Sequence, residues 1–156
     1  MSTSPVARPG QHPGPDARPT IEVTFQLTPG DGWPPFAAER VAAVLETPDE
    51  ARIVGTPIFV DDVSVGDTVQ VARGAAGFAA GSVLRRGRHS TVRVVAATAA
   101  ELEALRADLG YLAERVAASA VPPVLAIDVD DRTPIEDLLV RLDWACTSTL
   151  TYAISC

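Results

Sequence analysis

The stretch that decides the fold is residues 98–110, TAAELEALRADLG, which is followed by an apolar run at residues 124–129, VLAIDV. Thr98 and Glu101 have the spacing of a capping box at a helix start, and Gly110 is a residue typical of a helix end. Leucines recur between them at helical spacing, so the pattern predicts an amphipathic helix followed by a strand. These leucines, with one that follows the glycine, are Leu102, Leu105, Leu109 and Leu112.

A second helix and two further strands are predicted around this stretch. Thr133-Pro134-Ile135-Glu136 has capping-box spacing with proline at the first helical position, and apolar residues continue on one face as far as Leu142. Strands are predicted at residues 91–96 and 149–154. The order strand, helix, strand, helix, strand suits two helices on one face of a sheet, which predicts a ferredoxin-like β-α-β-α-β half.

The first part of the chain has the pattern of a series of short strands. Ile21, Val23 and Phe25 alternate with polar residues in the period of a half-buried strand. Turn signals such as Gly66-Asp67 separate the later apolar segments, which favours short antiparallel strands of a small sheet or barrel. Residues 36–45 fit either a helix, by their alanine content, or a strand, by their length. The other candidate strands lie at residues 52–54, 57–60, 63–67, 69–71 and 81–84.

The predicted fold class is therefore α+β, with a strand-rich N-terminal sheet or small barrel followed by an α/β half. Residues 1–19 are rich in Pro, Gly and Ser with almost nothing apolar to bury, which predicts a disordered tail. Residues 20–90 are predicted to form the strand-rich subdomain. Residues 91–156 are predicted to form the α/β subdomain, packed on the same core.

Composition disfavours several classes of function. The 156 residues include 20 acidic and 13 basic side chains, and the net charge of −7 opposes binding to nucleic acid or to anionic lipid. No apolar run approaches the roughly 18 residues that a transmembrane helix needs. The N-terminus lacks the pattern of a secretory signal, which predicts a cytoplasmic protein. Two cysteines without a Cys-x-x-Cys pair predict neither a metal site nor a cofactor.

A cationic island stands out in this acidic chain at residues 85–90, RRGRHS. Arginine side chains can donate to a carboxylate or phosphate, and histidine can change its charge near neutrality. The alternative is a solvated hairpin tip whose arginines offset the acidic surface. The residues of the predicted ligand-binding pocket are Arg86, Arg88, His89 and Ser90, facing Asp67.

No catalytic residue is predicted from this island. His89 and Ser90 are neighbours on a predicted strand, so their side chains point to opposite faces and cannot act as base and nucleophile. The acidic run at residues 128–131 could bind a divalent cation, but strand exit and helix entry account for it better because no phosphate-binding loop accompanies it.

Three functions remain open at this stage. The first is a non-enzymatic module that binds a small anionic ligand or a protein partner. The second is a small enzyme acting on an anionic substrate, with His89 as general acid or base. The third is a precursor of a ribosomally made, modified peptide with its core in residues 146–156, because Thr151 and Cys156 could be joined after dehydration and decarboxylation; the alternative there is a plain final strand.

The chain resembles a bacterial family known only as domain of unknown function 4265. The resemblance rests on the opening strand with Asp31-Gly32-Trp33-Pro34-Pro35, on two central segments, and on residues 87–93, GRHSTVR. The central segments are Thr56-Pro57-Ile58-Phe59 and Val63-Ser64-Val65-Gly66-Asp67. The resemblance implies a strand-rich N-terminal part followed by an α/β C-terminal part, and it implies no established activity.

Overall fold

The computed structural model describes residues 18–110, 115–145 and 151–155, and its first half is a closed five-stranded barrel. Neighbouring strands are antiparallel, and a parallel pairing of β1 with β5 closes the barrel. Buried residues such as Val23, Val41 and Val69 fill the interior. The strands are β1 (Thr20–Gln26), β2 (Ala38–Thr47), β3 (Glu50–Ile53), β4 (Thr68–Gly74) and β5 (Gly77–Arg85).

The second half is a four-stranded antiparallel sheet with two helices, in the strand order β7-β8-β6-β9. Valines and leucines of β6 and β8 pack with the leucines of both helices in a second buried cluster. The elements, in chain order, are β6 (His89–Val95), α1 (Ala99–Leu109), β7 (Val116–Ala120), β8 (Pro123–Asp130), α2 (Ile135–Ala145) and β9 (Thr151–Ser155).

The two faces of this sheet have different neighbours. Val92 and Val94 belong to the cluster on the helix face, and because side chains alternate along a strand, His89, Thr91 and Arg93 lie on the opposite face. This opposite face meets the loop of residues 54–67, which joins β3 to β4. The β5–β6 connection and the loop therefore bring the barrel against the sheet.

A pair of charged side chains holds that loop in place. The Glu39 carboxylate accepts hydrogen bonds from the backbone N–H groups of Ile58, Phe59 and Val60 at 2.7–2.8 Å. Arg93 donates to the carbonyl oxygens of Ile58, at 2.7 Å, and Val60. Burial lowers the pKa of the Arg93 guanidinium, and these carbonyl acceptors compensate for part of its lost hydration.

The structure confirms a strand-rich α+β protein with two helices, and it differs from the sequence prediction in the extent and number of its strands. Residues 38–47 form a strand. Residues 57–60 and 63–67, predicted as strands, lie in the loop. Side chains satisfy backbone groups of the first segment. The second segment reaches a strand at its end, where Gly66 donates to and Asp67 accepts from the backbone of Ile53. Strand β7 is present where none was predicted.

The helix starts give one confirmation and one correction. The Thr98–Glu101 capping box is present at α1. At α2 the Thr133 hydroxyl donates to Asp130 Oδ1 instead of serving a capping box with Glu136. Leu112, residues 1–17 of the predicted tail and residues 149–150 of the last predicted strand lie outside the described residues. Within the described residues, neither α1 nor α2 has the length and hydropathy that a membrane-spanning helix requires.

Candidate functional site

The cationic island begins at a tight junction between the barrel and the β5–β6 connection. A Cβ atom on Gly87 would lie 2.1 Å from the carbonyl carbon of Gly66, so only glycine fits there, and Gly66 itself has a φ of +87°. The buried carboxylate of Asp67 accepts from the backbone N–H of Gly87 at 2.8 Å and from that of Ser64 at 3.1 Å. We call Gly66, Asp67, Arg86 and Gly87 the junction.

Arg86 completes the junction with its guanidinium. Its Nη1 donates to Asp67 Oδ2 at 3.1 Å and to the Asp62 carbonyl at 2.7 Å, and its Nη2 donates to Asp62 Oδ1 at 2.8 Å. The hydrogen bond to Asp62 is the largest cause of a raised pKa of this guanidinium. Arg86 is therefore committed to carboxylates of its own chain.

A second buried contact joins the same loop to the sheet. Ser64 Oγ lies 2.9 Å from Thr91 Oγ1, and both residues are fully buried. Thr91 is the partner of Asp128 in the β6–β8 ladder, two residues along each strand from the pair of His89 and Asp130. The junction, through Ser64 and Thr91, thus adjoins the strand positions that carry His89 and Asp128.

His89 forms a hydrogen-bonded pair with Asp128. Its Nδ1 lies 2.8 Å from Asp128 Oδ1, and the Asp128 side chain is almost entirely buried. A carboxylate only accepts hydrogen bonds, so Nδ1 carries the hydrogen and Nε2 is the ring nitrogen left for another partner. The His89 side chain is 23% exposed, which keeps it within reach of a small molecule.

His89 lines an open cleft of about 800 Å³ between the β5–β6 connection and the start of α2. The volume lies within the range of small-molecule sites. Nine of its twelve lining residues have polar or charged side chains, whereas the interior of the barrel is apolar. The lining residues are Arg86, Arg88, His89, Ser90, Val129, Asp130, Asp131, Arg132, Thr133, Pro134, Ile135 and Glu136. We call this the cleft.

The charged residues of the cleft differ in how firmly they are paired. Asp130 is an ion-pair partner of Arg115 and accepts from Thr133, and these hydrogen bonds hold the pKa of its carboxyl well below the usual range. Arg88 Nη1 lies 3.9 Å from Asp131 Oδ2, at the outer limit of an ion pair, with the side chains 84% and 56% exposed. Arg132 has no ion pair within the described ranges.

The structure divides the five residues that the sequence analysis proposed as a site. Arg86, Arg88, His89 and Ser90 line the cleft, whereas Asp67 is buried in the junction and does not line it. Sequence reasoning missed Asp128 as the partner of His89. An acidic residue within the apolar strand run VLAID was the available signal, because a buried charge requires a partner.

The other candidate sites, for a metal ion and for a modification, have less support from the structure. Among residues 18–110, 115–145 and 151–155, no cluster of three or more His, Cys, Asp or Glu side chains could hold a metal ion. Thr151, proposed as a modification site, pairs with Val95 at the start of β9. Cys156 and residues 146–150 lie outside the described residues.

The geometry defines an α+β protein in which a closed barrel and an antiparallel sheet meet beside a polar cleft. The chain belongs to the family described as domain of unknown function (DUF4265), whose model matches residues 39–146. This confirms the family that the sequence motifs indicated.

One solved structure supports the fold. The chain is similar to a hypothetical protein from Neisseria gonorrhoeae, with a TM-score of 0.58 and 15% sequence identity. The match covers 90% of this chain and 95% of the other, and at this identity it shows the fold alone. No curated protein matches the sequence.

Proposed function

We propose that this chain is a non-enzymatic binding module whose cleft takes a small ligand with a carboxylate or phosphate group. The observation that carries the proposal is the His89–Asp128 pair at the cleft wall. Asp128 fixes the tautomer and the ring orientation, so Nε2 can accept from a ligand when the ring is neutral and donate when it is charged. An imidazole held in this way is preorganised for binding.

Two exposed arginines supply the charge that such a ligand needs. Arg88 and Arg132 line the same cleft as His89, and neither is held in a close ion pair of the kind that Arg86 forms. A guanidinium binds carboxylate and phosphate oxygens through two parallel hydrogen bonds. Arg88 also has a φ of +62°, a conformation that non-glycine residues rarely adopt and that recurs at functional sites.

The test is an NMR titration of the isotope-labelled full chain with inorganic phosphate, acetate and citrate up to about 10 mM, because a few charged contacts give millimolar affinity. We expect saturable shifts of the His89 ring and of the Ser90 and Arg132 amides. His89→Gln and Arg88→Gln should each weaken binding about tenfold, which is the value of one charge-assisted hydrogen bond.

His12→Gln is the matched control for the histidine substitution, since it replaces the other histidine of the chain, which lies outside the described residues. It should leave the titration unchanged. The proposal is wrong if none of the three anions shifts the cleft resonances at this concentration, or if His89→Gln and His12→Gln behave alike.

An enzyme that uses His89 as general acid or base is the second candidate, and the same pair favours it. A buried aspartate that orients a histidine is the arrangement with which many enzymes prepare an imidazole for proton transfer. The two candidates differ in what happens to the ligand. Any ligand that co-purifies with the protein would be incubated separately with wild type and with His89→Gln. The mass of the ligand would then be compared between the two samples.

Conversion by wild type alone would establish catalysis, and an intact ligand in both samples would establish a binding module. Native mass spectrometry of protein purified without denaturation identifies the co-purifying ligand first. The Asp128→Asn variant then separates orientation from charge, because it keeps the side-chain volume and removes the carboxylate that holds the Nδ1 hydrogen.

We also propose the finer architecture in which residues 20–90 and 91–156 are two subdomains and the second is ferredoxin-like. The two separate buried clusters support the division and stand against the single shared core that the sequence analysis predicted. The element order β-α-β-β-α-β and the strand order β7-β8-β6-β9 support the ferredoxin-like arrangement. The extra strand relative to the sequence prediction is β7.

A further inference from the structure

The charges that line the cleft cancel when they are counted together. Its walls carry three basic and three acidic side chains, with His89 counted as neutral. A site built only for an anion would have an excess of positive charge, as phosphate- and carboxylate-binding clefts do. The basic residues are Arg86, Arg88 and Arg132, and the acidic residues are Asp130, Asp131 and Glu136.

The balance persists after the firmly paired side chains are removed from the count. Arg86 is neutralised by Asp62 and Asp67, which do not line the cleft. Asp130 is neutralised by Arg115, which does not line it either. Two positive and two negative side chains are left to meet a ligand.

These four side chains are exposed and hardly paired with one another. Glu136 lies in the first turn of α2, and neither it nor Arg132 has an ion pair in the part of the chain that the structure describes. The contact of Arg88 with Asp131 at 3.9 Å is the one ion pair recorded among the four. Each therefore keeps most of its capacity for a charge-assisted contact with a ligand.

We infer that the ligand of the cleft is a small zwitterion of the α-amino acid class, with a carboxylate that meets Arg88 or Arg132 and an ammonium group that meets Asp131 or Glu136. This inference rests on the proposed function, which requires only the anionic group. A simple anion would offer no positive group to Asp131 and Glu136 and would be repelled by them. A zwitterion satisfies both signs at once.

The probes are four pools offered to the labelled full chain in the NMR titration. The first holds α-amino acids with uncharged side chains, the second the same compounds N-acetylated, and the third the same compounds as α-carboxamides. The fourth holds phosphate, acetate and citrate. We expect the first pool to bind at least about tenfold more tightly than any other, because each blocked pool lacks one charged contact.

A charge-neutralising substitution in the cleft tests the ammonium contact directly. Glu136→Gln should weaken binding of the amino acids about tenfold. It should not weaken binding of the N-acetylated pool, because the acetylated compounds lack the ammonium group and Glu136 repels their carboxylate. Asp137→Asn is the matched control. It is the other acidic residue in the first turn of α2 and does not line the cleft, so it alters the helix end equally without touching the ligand.

The inference is overturned if the N-acetylated pool or the simple anions bind as tightly as the free amino acids, an outcome that leaves the proposed function standing. It is overturned as well if the free amino acids do not bind while the simple anions do. It is overturned too if neither Glu136→Gln nor Asp131→Asn weakens binding of the amino acids more than Asp137→Asn does. Failure of all four pools would remove the proposed function together with the inference.

Discussion

The junction and the cleft lie side by side, and the same residue types have different roles in them. In the junction, Arg86 and Asp67 satisfy each other and the backbone around them, so that little polar capacity is left over. In the cleft, two residues further along the chain, Arg88 is 84% exposed and its nearest carboxylate is 3.9 Å away. Alternating arginines on one short segment therefore divide into one that fixes the backbone and one that can meet a ligand.

This difference shows why the density of charge in a sequence is a poor measure of a binding site. A charge that is paired within the chain contributes to the position of its segment, and only an unpaired one can contribute to ligand affinity. Substitutions in the junction should therefore change the free energy of unfolding. Substitutions of the exposed cleft residues should change ligand affinity and leave that free energy nearly constant.

Gly87→Ala is expected to have the largest effect on stability. The new methyl group would lie 2.1 Å from the Gly66 backbone, which cannot move without displacing the loop that covers the sheet. We expect a loss of more than about 3 kcal/mol in the free energy of unfolding, measured in urea. Gly74→Ala is the control, since its Cβ would meet nothing closer than 3.9 Å.

A Gly87→Ala variant as stable as wild type would show that the two backbones can separate freely, and the junction would then not position the cleft. If the variant does not fold, its soluble yield is compared with that of Gly74→Ala. Equal yields for the variants at both glycines would contradict the close approach.

Asp67→Asn should come second in size. The amide keeps the volume of the buried carboxylate but loses its charge and brings an NH₂ group towards donors from Ser64, Arg86 and Gly87. We expect a loss of about 2–3 kcal/mol in the free energy of unfolding, as for the loss of a partner from a buried charge network. Asp62→Asn, at an exposed carboxylate of the same arginine, should cost less than about 1 kcal/mol.

Equal losses for the two aspartate variants would mean that burial gives Asp67 no special weight, and the comparison between junction and cleft would lose its basis. The Asp67→Asn variant should also retain the anion affinity of the cleft whenever it is folded, because Asp67 does not line it. A selective loss of binding without a change in stability would instead show that Asp67 contributes to ligand binding, as the sequence analysis proposed.

The sequence predicts the local elements of this fold far better than the contacts between them. The helix α1 was predictable because its capping box and leucine spacing act within thirteen residues. Strand β7, with the sequence VAASA, lacks an alternation of apolar and polar residues, so nothing local identifies it. Its strand character comes from pairing with β8, and this depends on the whole sheet.

The candidate site follows the same rule. His89 and the arginines were recognisable because they are adjacent in the sequence, and their proximity needs no fold. Asp128 is 39 residues away and reaches His89 only through the register of β6 with β8, which pairs Thr91 with Asp128. The division of Arg86 from Arg88 was equally hidden, because it depends on where the loop of residues 54–67 places Asp62 and Asp67.

Asp130→Asn is expected to have the smallest effect and sharpens the comparison at the boundary of the two regions. Asp130 lines the cleft, yet its carboxylate is paired in the manner of the junction, with Arg115 and Thr133. Because its pKa is lowered in the folded state, its stabilising contribution is complete above the unfolded-state value of about 4 and is lost as the pH falls below it.

The Asp130→Asn variant should therefore be about 1 kcal/mol less stable than wild type at pH 7, and the difference should shrink steadily in urea titrations below pH 4. A pH-independent difference for Asp130→Asn would mean that the Arg115 pair does not form in solution and that Asp130 is free to meet a ligand.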